Sequence, residues 1–283
     1  MEKLIHILEL DNTAITVDVE PWIIKKTKPN VPIIRLRPGQ RKLLEAGTFR
    51  GDDNLISYSG KEYWLSNELY KELERKTKKG VDLGLFGLSY AEFFDPDQVA
   101  EQANRVKICT DNIEHLKNTK DDVVIVSDRS NLELHSDLLE VVREKFGEYN
   151  IDIMNVYMLS KNNLKTDNED VPYQKALLTI EKMVGYKIVD SKFTNVPVDQ
   201  YNKVYIYDDS RKVFDELNTI QETFNKIYYN SDENIKPVVL NKVLSVKPFV
   251  KIHQVTGNEF NRFKTDTIML TRPTRIYKFN FFK

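Results

Sequence analysis

The chain has 283 residues, 41% of them hydrophobic and 30% charged, so it has enough apolar side chains to bury a core. This composition excludes a wholly disordered protein, which would combine low hydrophobicity with unbalanced charge. The 42 basic residues nearly cancel the 43 acidic ones, so the net charge gives no reason to expect a nucleic-acid or membrane partner.

The cysteine content and the apolar runs exclude further classes of protein. Cys109 is the only cysteine, which excludes an intrachain disulfide and a metal site built from several thiolates. No apolar run approaches the roughly 18 residues of a membrane span. The first residues lack the apolar stretch of a signal peptide and the Arg-rich pattern of a transit peptide. We therefore expect a soluble protein of a reducing compartment such as the cytoplasm.

The first third of the chain begins with a predicted strand and continues with turns and a helix. Residues Leu4 to Leu10 form a short apolar run that is typical of a buried strand. Two runs, Leu55 to Tyr58 and Glu62 to Leu65, are separated by turn residues and predict a small antiparallel meander. Ser66 can cap a helix that ends near Gly80.

Beyond residue 120 the pattern changes to strands that alternate with helices. Strands are predicted over residues 123–126, 151–159, 204–207, 227–229, 238–246 and 249–255. Helices are predicted over residues 134–147, after Pro172 and from Phe214 onward. Because this alternation is typical of right-handed βαβ units around a parallel sheet, the sequence predicts an α/β fold. Ligands of such sheets bind beyond the carboxyl ends of the strands.

Polar side chains stand where three of these strands end, and a lysine lies near the start of the helix after Pro172. In chain order these residues are Glu9, Asp11, Thr13, Ser127, Lys175, Asp208 and Asp209. Carboxylates, a hydroxyl and an ammonium that converge at one sheet edge suit a single task. The four acids would hold Mg²⁺, and the hydroxyl of Ser127 and the ammonium of Lys175 would neutralise phosphate oxygens.

Each of these residues also has a purely structural interpretation. Glu9 and Asp11 could be the solvated end of an edge strand, since polar residues are common in loops. Asp208 and Asp209 could cap the helix that follows them, because a helix N-terminus attracts carboxylates. Lys175 could be an ordinary solvated lysine on a helix.

In their order along the chain, these motifs resemble those of the haloacid dehalogenase (HAD) superfamily. That superfamily has an Asp-x-Asp-x-Thr loop after its first strand, a Ser or Thr at the end of a later strand, then a Lys and an acidic pair. This chain has Glu9-Leu10-Asp11-Asn12-Thr13, then Ser127, Lys175 and Asp208-Asp209. Two segments, Ser127-Asp128-Arg129 and Asp208-Asp209-Ser210-Arg211, are most similar to the branch named Swiss-army-knife RNA-repair-like proteins.

The resemblance implies a domain organisation. Residues 1–15 and 119–236 would form a Rossmann-like HAD core with a parallel sheet. Residues 16–118 stand where the superfamily inserts a cap, and we expect an α+β cap domain there. Residues 237–283 fall outside the resemblance and are expected to form a β-rich C-terminal extension. The long insertion also resembles proteins of large tailed bacteriophages, which would place the chain in the host cytoplasm or the virion.

Glu9 departs from the superfamily, whose nucleophile at this position is an aspartate. Transfer through an aspartyl phosphate needs the carboxylate oxygen, the phosphorus and the leaving oxygen in line. The extra methylene of Glu9 moves its carboxylate by about an ångström or more, and a misplacement of that size can cost roughly 10²-fold in rate. In another register Asp11 would be the nucleophile, as in P-type ATPases, but Thr13 would then leave its usual place four residues after the nucleophile.

We therefore expect a degenerate HAD protein, a non-catalytic binding or structural subunit whose Asp11, Asp208 and Asp209 could still hold Mg²⁺ or a phosphate. The alternative is a Mg²⁺-dependent phosphatase that acts on nucleotides or nucleic-acid ends. In that case Glu9 or Asp11 attacks, Asp11 serves as acid–base, Ser127 and Lys175 bind the phosphoryl group, and Asp208 carries the metal.

A basic segment supports a third expectation. Residues 21–50 contain eight basic side chains and one acid, Glu45. Arg35, Arg37, Arg41 and Lys42 could bind the phosphates of a nucleic acid, and the chain would then be a nucleic-acid-binding module. A run of charge is more often a solvated face.

The last twelve residues are basic and aromatic. If the segment Arg272 to Lys283 were left uncovered, its aromatic side chains would be exposed to water and would favour association with other molecules. We expect it either to fold onto its own sheet or to add to the sheet edge of another protein subunit. Other subunits are therefore the expected partners.

Overall fold

The computed structural model describes residues 2–17, 22–36, 55–58, 61–77, 80–89, 96–127, 129, 135–159, 171–256 and 259–274. The chain divides into two compact units. The first unit consists of Met1–Thr16, Lys107–Glu133 and Leu139–Lys283, and the second of Val17–Val106 and Leu134–Leu138.

Strands and helices are distributed along the whole described chain. The strands are β1 (Leu4–Glu9), β2 (Ile15–Thr16), β3 (Trp22–Lys25), β4 (Lys28–Arg35), β5 (Leu55–Tyr58), β6 (Lys61–Trp64), β7 (Phe86–Ser89), β8 (Lys107–Ile108), β9 (Asp122–Ser127), β10 (Ile153–Met158), β11 (Tyr186–Val189), β12 (Lys192–Pro197), β13 (Lys203–Asp208), β14 (Phe249–Thr256) and β15 (Glu259–Met269). The α-helices are α1 (Asn67–Thr77), α2 (Pro96–Gln102), α3 (Thr110–Ile113), α4 (Ser136–Gly147), α5 (Val171–Val184), α6 (Arg211–Asn218), α7 (Ile220–Asn230) and α8 (Lys236–Val246).

A six-stranded, mainly parallel sheet forms the centre of the first unit. Its strand order is β10-β9-β1-β13-β14-β15. The first five strands run parallel, and β15 pairs antiparallel with β14. The unit is thus a mixed α/β structure with a Rossmann-like sheet, as the alternation of strands and helices predicted. Because β9 and β13 flank β1, the residues that end these three strands lie at one edge of the sheet.

Helices cover one face of this sheet. Ile5, Val124, Ile206 and Ile252, from four different strands, all belong to the same buried cluster. The helices α5, α6, α7 and α8 add their apolar residues to this cluster, among them Ala176, Ile180, Phe214, Phe224 and Val239. Strands β1 and β9 are buried along almost their whole length, as expected for central parallel strands that are covered on both faces.

The opposite side of the sheet carries a group of histidines around one tyrosine. The hydroxyl of Tyr207 lies 2.9 Å from Nε2 of His115 and 3.3 Å from Nδ1 of His6. The ring of His253 stacks on that of Tyr207, with 4.9 Å between the ring centroids. Nε2 of His6 is 3.5 Å from a carboxylate oxygen of Asp121. Burial lowers the pKa of His6, and the negative charge of Asp121 opposes this shift.

Two of the strands predicted in the last part of the chain are helices. Residues 238–246, predicted as a strand, belong to the helix α8, and residues 227–229 belong to the helix α7. The apolar residues of α8 are spread around the helix and do not form a single stripe, so periodicity cannot distinguish a helix from a strand there. Pro237 lies in its first turn, a common place for proline in a helix. The strands β14 and β15 are part of the central sheet.

The second unit is a smaller α+β structure, with antiparallel strand pairs and helices. The strands β4, β3 and β7 form an antiparallel sheet, and β5 and β6 form the hairpin that the turn residues predicted. The helix α1 begins as predicted, because the backbone N–H of Leu69 donates to Oγ of Ser66 at 3.2 Å. Its inner face, Leu69 and Leu73, joins Ile23, Ile34 and Leu88 in one buried cluster.

The boundary of this unit differs from the predicted cap of residues 16–118. Residues 107–118 belong to the first unit, because β8 pairs antiparallel with β2 next to the end of β1. The backbone N–H of Cys109 also donates to the carbonyl of Ala14 at 3.0 Å. Among the described helices, none is long and apolar enough to cross a membrane.

Candidate functional site

The ends of three neighbouring strands bring three of the predicted site residues to one edge of the sheet. Glu9 of β1 is in register with Val126 of β9, and Leu8 is in register with Tyr207 of β13. Glu9, Ser127 and Asp208 are therefore the last residues of three adjacent strands. All three are buried, with relative exposures of 4%, 0% and 2%.

Lys175 connects two of these acids. It lies near the start of α5, on the helix-covered face of the sheet, and its side chain is 5% exposed. Its Nζ donates to Oε2 of Glu9 and, at 2.6 Å, to Oδ2 of Asp208. Burial alone would lower the pKa of Lys175, but the two carboxylates outweigh it and raise this pKa above its usual value. The ammonium therefore stays charged and neutralises the pair of acids.

The second carboxylate oxygen of Asp208 also has a partner. Oδ1 accepts a hydrogen bond from the backbone N–H of Ser210 at 2.8 Å, just before α6 begins. Asp208 thus uses one oxygen to hold the turn into α6 and the other to hold Lys175. The contact with Ser210 agrees with the structural interpretation of Asp208, because it stabilises the turn that starts α6.

Asp11 is paired with a different cation. Nε of Arg129 donates to Oδ2 of Asp11 at 2.8 Å, and Nη2 donates to Oδ1 at 2.7 Å. The guanidinium therefore engages both carboxylate oxygens, which is the strongest geometry for such a pair. The backbone N–H of Arg129 donates to Oγ of Ser127 at 3.2 Å, so the serine helps to fix the segment that follows β9.

A tight turn fixes the position of Asp11. The N–H of Ala14 donates to the carbonyl of Glu9 at 3.0 Å, and the N–H of Ile15 donates to that of Leu10 at 2.9 Å. Asn12 has a φ of 61°, in the left-handed region that asparagine tolerates better than most residues. The side chain of Thr13 points into the interior, and its hydroxyl has no hydrogen-bond partner in the described part of the chain.

Cys109 lies close to further acids. Burial, followed by the negative charges of Asp111, Asp209 and Asp11, raises the pKa of the Cys109 thiol to about 12. The thiol therefore stays protonated at neutral pH and is not a nucleophile there. Asp209 and Asp11 therefore lie close enough to Cys109 for their charges to act on its thiol. Asp209 is half-buried.

As they stand, these residues do not fit a Mg²⁺ ion. Magnesium needs near-octahedral oxygen ligands with free lone pairs. Lys175 holds Glu9 and Asp208, while Arg129 covers both oxygens of Asp11. Across the ranges that the structure describes, no group of three or more His, Cys, Asp and Glu side chains is placed to hold a metal ion.

Arg129 is the residue of this pocket to which sequence analysis assigned no role. Its position in the sequence could have indicated a role, because Arg129 stands two residues after Ser127, at a strand end predicted to lie near the acids. Lys175, in contrast, is a predicted site residue, and its ammonium contacts both Glu9 and Asp208.

Most of the predicted nucleic-acid-binding set lies outside the described residues. Arg37, Arg41 and Lys42 fall in residues 37–54, which the structure does not describe. Arg35 is exposed, and its Cζ lies 5.2 Å from the ring centroid of Trp22. Trp22 is itself buried, so it packs in the core of the second unit rather than offering a surface for a base.

Comparison with known proteins gives no family for the chain. No protein-family model matches it, and no curated protein or solved structure is significantly similar to it. The similarity to the HAD superfamily therefore rests on the residues of the pocket, and the function has to be argued from their geometry.

Proposed function

We propose that this protein is a degenerate HAD-like protein that acts as a non-catalytic binding or structural subunit. One observation supports the proposal most strongly: both carboxylate oxygens of Asp11 are already engaged by the guanidinium of Arg129. A site that transfers phosphoryl groups needs acids free to attack, to exchange a proton or to hold a metal. In this pocket the acids hold side chains in place instead.

Glu9 adds a second argument. Its carboxylate is one methylene further from the backbone than that of an aspartate, and it is hydrogen-bonded to a buried ammonium. In-line attack on phosphorus would require it to leave Lys175 and reach a position that its longer side chain overshoots. Both requirements oppose turnover.

The alternative function is the Mg²⁺-dependent phosphatase. The contact of Lys175 with both Glu9 and Asp208 favours it, since a phosphoryl-transfer site would need an ammonium beside its two acids. In that alternative Arg129 would have to release Asp11 when substrate and metal bind.

A phosphatase assay distinguishes the two functions. The unaltered protein is incubated with Mg²⁺ and p-nitrophenyl phosphate, nucleoside monophosphates and oligonucleotides phosphorylated at either end. We expect no phosphate release above the rate without protein, because Glu9 and Asp208 hold Lys175 and Asp11 holds Arg129. Asp208→Asn is the matched control, and circular dichroism verifies that it is folded.

Phosphate release by the unaltered protein that Asp208→Asn abolishes would overturn the proposal. Such a result would assign the chemistry to this pocket rather than to a contaminating phosphatase. The structural half has its own test, sedimentation of the protein from a lysate of its natural source. We expect it to sediment with an assembly much heavier than the single chain, and sedimentation as a free chain would contradict that half.

A further inference from the structure

The contact between Arg129 and Asp11 has the features of a permanent structural pair rather than of a surface ion pair. Both guanidinium-to-carboxylate hydrogen bonds are shorter than 2.9 Å, and the Arg129 side chain is only 7% exposed. Surface ion pairs contribute little because water and salt screen them. In this pair the cation is buried and the Asp11 side chain is 29% exposed, so the bidentate contact is screened much less. A cation that is almost fully buried must keep its partner, because an unpaired charge in the interior is costly.

The backbone around this pair holds both partners in place. Asp11 lies in the turn whose N–H groups at Ala14 and Ile15 bond back to Glu9 and Leu10. Arg129 is anchored through its own N–H to Ser127, at the end of the neighbouring strand β9. The two strands are paired in fixed register, so the guanidinium and the carboxylate face each other before any ligand arrives.

A metal ion on Asp11 would compete with Arg129 for the negative charge of the carboxylate and for the side of it that faces the guanidinium. A guanidinium that forks onto a carboxylate occupies both of its oxygens. Mg²⁺ binds proteins through one or two carboxylates and gives up its water reluctantly, so it cannot readily displace such a partner. If it did, the displaced guanidinium of Arg129 would remain buried beside a divalent cation.

We propose that Arg129 is a built-in counter-cation that takes the place of a divalent metal on Asp11 and excludes metal ions from the pocket. Together with Lys175 it neutralises two of the three negative charges of Glu9, Asp11 and Asp208. The pocket is therefore complete without a metal. The inference deepens the proposed function, on whose pocket it rests, but it concerns metal binding rather than turnover.

The test measures divalent binding directly. Mn²⁺ serves as the probe for a magnesium-type site, and its free concentration is followed by electron paramagnetic resonance at constant ionic strength. Thermal unfolding with and without MgCl₂ gives a second readout. For the unaltered protein we expect neither saturable Mn²⁺ binding nor a rise of the Tm with Mg²⁺.

Arg129→Met is the decisive variant, because it frees Asp11 and keeps the apolar bulk of the side chain. We expect it to bind Mn²⁺ at least roughly tenfold more tightly than the unaltered protein does, because the negative charge of the ligands sets divalent affinity. Adding Asp11→Asn to Arg129→Met should remove the new binding. Arg129→Lys keeps the charge but not the fork, and it serves as the second variant should Arg129→Met fail to fold; we expect weaker but measurable binding.

Arg211→Met is the matched control for a simple change of charge. Arg211 lies next to the acidic pair in sequence, but its side chain is 84% exposed and it pairs with Asp215. It should leave Mn²⁺ binding unchanged. If Arg129→Met and Arg129→Lys gain no binding, or if the unaltered protein binds Mn²⁺ and loses it on Asp11→Asn, the inference is wrong.

The outcome is separable from that of the proposed function. Metal-free phosphate release that depends on Asp208 would overturn the proposed function and leave the role of Arg129 intact. Binding of Mn²⁺ through Asp11 without any turnover would overturn the role of Arg129 and leave the proposed function intact.

Discussion

Lys175 is the residue on which the pocket depends most. Its ammonium is buried between Glu9 and Asp208, and without it two carboxylates would face each other in the interior. A buried pair contributes little net stability compared with apolar residues of the same volume, but removing one partner leaves an uncompensated charge. Removing Lys175 alone should therefore destabilise the folded protein more than replacing the whole set of charged residues by apolar ones.

Lys175→Met should destabilise the protein strongly. Because it leaves Glu9 and Asp208 buried without their cation, we expect a loss of about 3–5 kcal/mol in the free energy of unfolding. Urea denaturation followed by circular dichroism measures it. Lys182→Met on the same helix is the matched control, since Lys182 is also buried but lies over the ring of Tyr157, and its loss should cost only about 1 kcal/mol. Equal losses in the two variants would contradict the assigned role of Lys175.

His6 should make stability depend on pH. Its pKa is lowered by burial in the folded state, whereas an unfolded histidine has a pKa of about 6.5. The unfolded state therefore binds the proton more readily, so stability is complete above about pH 6.5 and falls as the pH drops below that value toward the folded pKa. Asp121, Tyr207 and, through that tyrosine, His115 are the polar groups that face it.

The variant His6→Phe tests this dependence. It keeps an aromatic ring on β1 but removes the titrating group, so the fall in unfolding free energy between pH 7 and 5 should become shallower. Urea denaturation at each pH gives the slope. His115→Phe is the comparison, because His115 is exposed, and its slope should stay close to that of the unaltered protein. A slope unaffected by His6→Phe would reject the prediction.

Helix α5 places Lys175 at the edge of the central sheet. Pro172 lies in its first turn, where no backbone N–H is needed. Gly185 follows its last residue with a φ of 82°, and the N–H of Gly185 donates to the carbonyl of Glu181 at 2.7 Å. The helix thus has a defined start and a defined end, which fix where Lys175 stands.

Gly185→Ala should be destabilising. A side chain is strained at this φ, and an added Cβ would lie 2.9 Å from Cβ of Gln200. We expect a loss of about 1–3 kcal/mol in unfolding free energy. Gly147→Ala, at the end of α4, is the matched control, because its Cβ would meet nothing within 4 Å and its φ is not positive. It should be neutral or slightly stabilising, since alanine favours a helix over glycine. Similar losses at both positions would contradict the argument.

Elements with a clear pattern could be predicted from the sequence, and those without one could not. The strands β1, β9 and β13 are short apolar runs that end in polar residues, and the structure confirms all three. The helix α8 was mistaken for a strand because its valines and leucines give no period. Its identity is set by packing, with Val239 and Val243 turned to the core, and packing is not visible in a single sequence.

The residues of the pocket could likewise be predicted from a clear pattern, whereas their contacts with one another could not. The residues of the pocket follow from the strand ends, because parallel strands place their carboxyl ends together. Their pairing does not follow, since Arg129 and Asp11 are 118 positions apart in the chain and meet only through the register of β9 and β1. Sequence reasoning could therefore name the acids and Lys175, but not Arg129 or which acid each cation contacts.

At the scale of the whole molecule, the last part of the chain belongs to the core of the first unit. The strand β14 pairs with β13, and Val250 and Ile252 lie in the same buried cluster as Ile5 and Ile206. The strands β14 and β15, which lie within the predicted β-rich C-terminal extension, thus complete the central sheet.

Ile252→Ala tests whether this part folds together with the rest. Ile252 is 1% exposed, and its truncation should cost about 2–5 kcal/mol in a single cooperative transition of the unit. Leu244→Ala on α8 is the matched control, because Leu244 is 46% exposed and should lose less than about 1 kcal/mol. Thermal unfolding followed by fluorescence and by circular dichroism measures both. A separate early transition that alone responds to Ile252→Ala would show that the segment is an independent appendage.

The central place of β1 has a consequence for how the protein is made. Ile5 pairs with Asp122 and Leu4 pairs with Lys203, so β1 is synthesised well before the strands with which it pairs. At about 5–20 residues per second, that delay is roughly ten to forty seconds. Throughout this time a nascent apolar segment has an open hydrogen-bonding edge, which is the kind of surface that chaperones protect from aggregation.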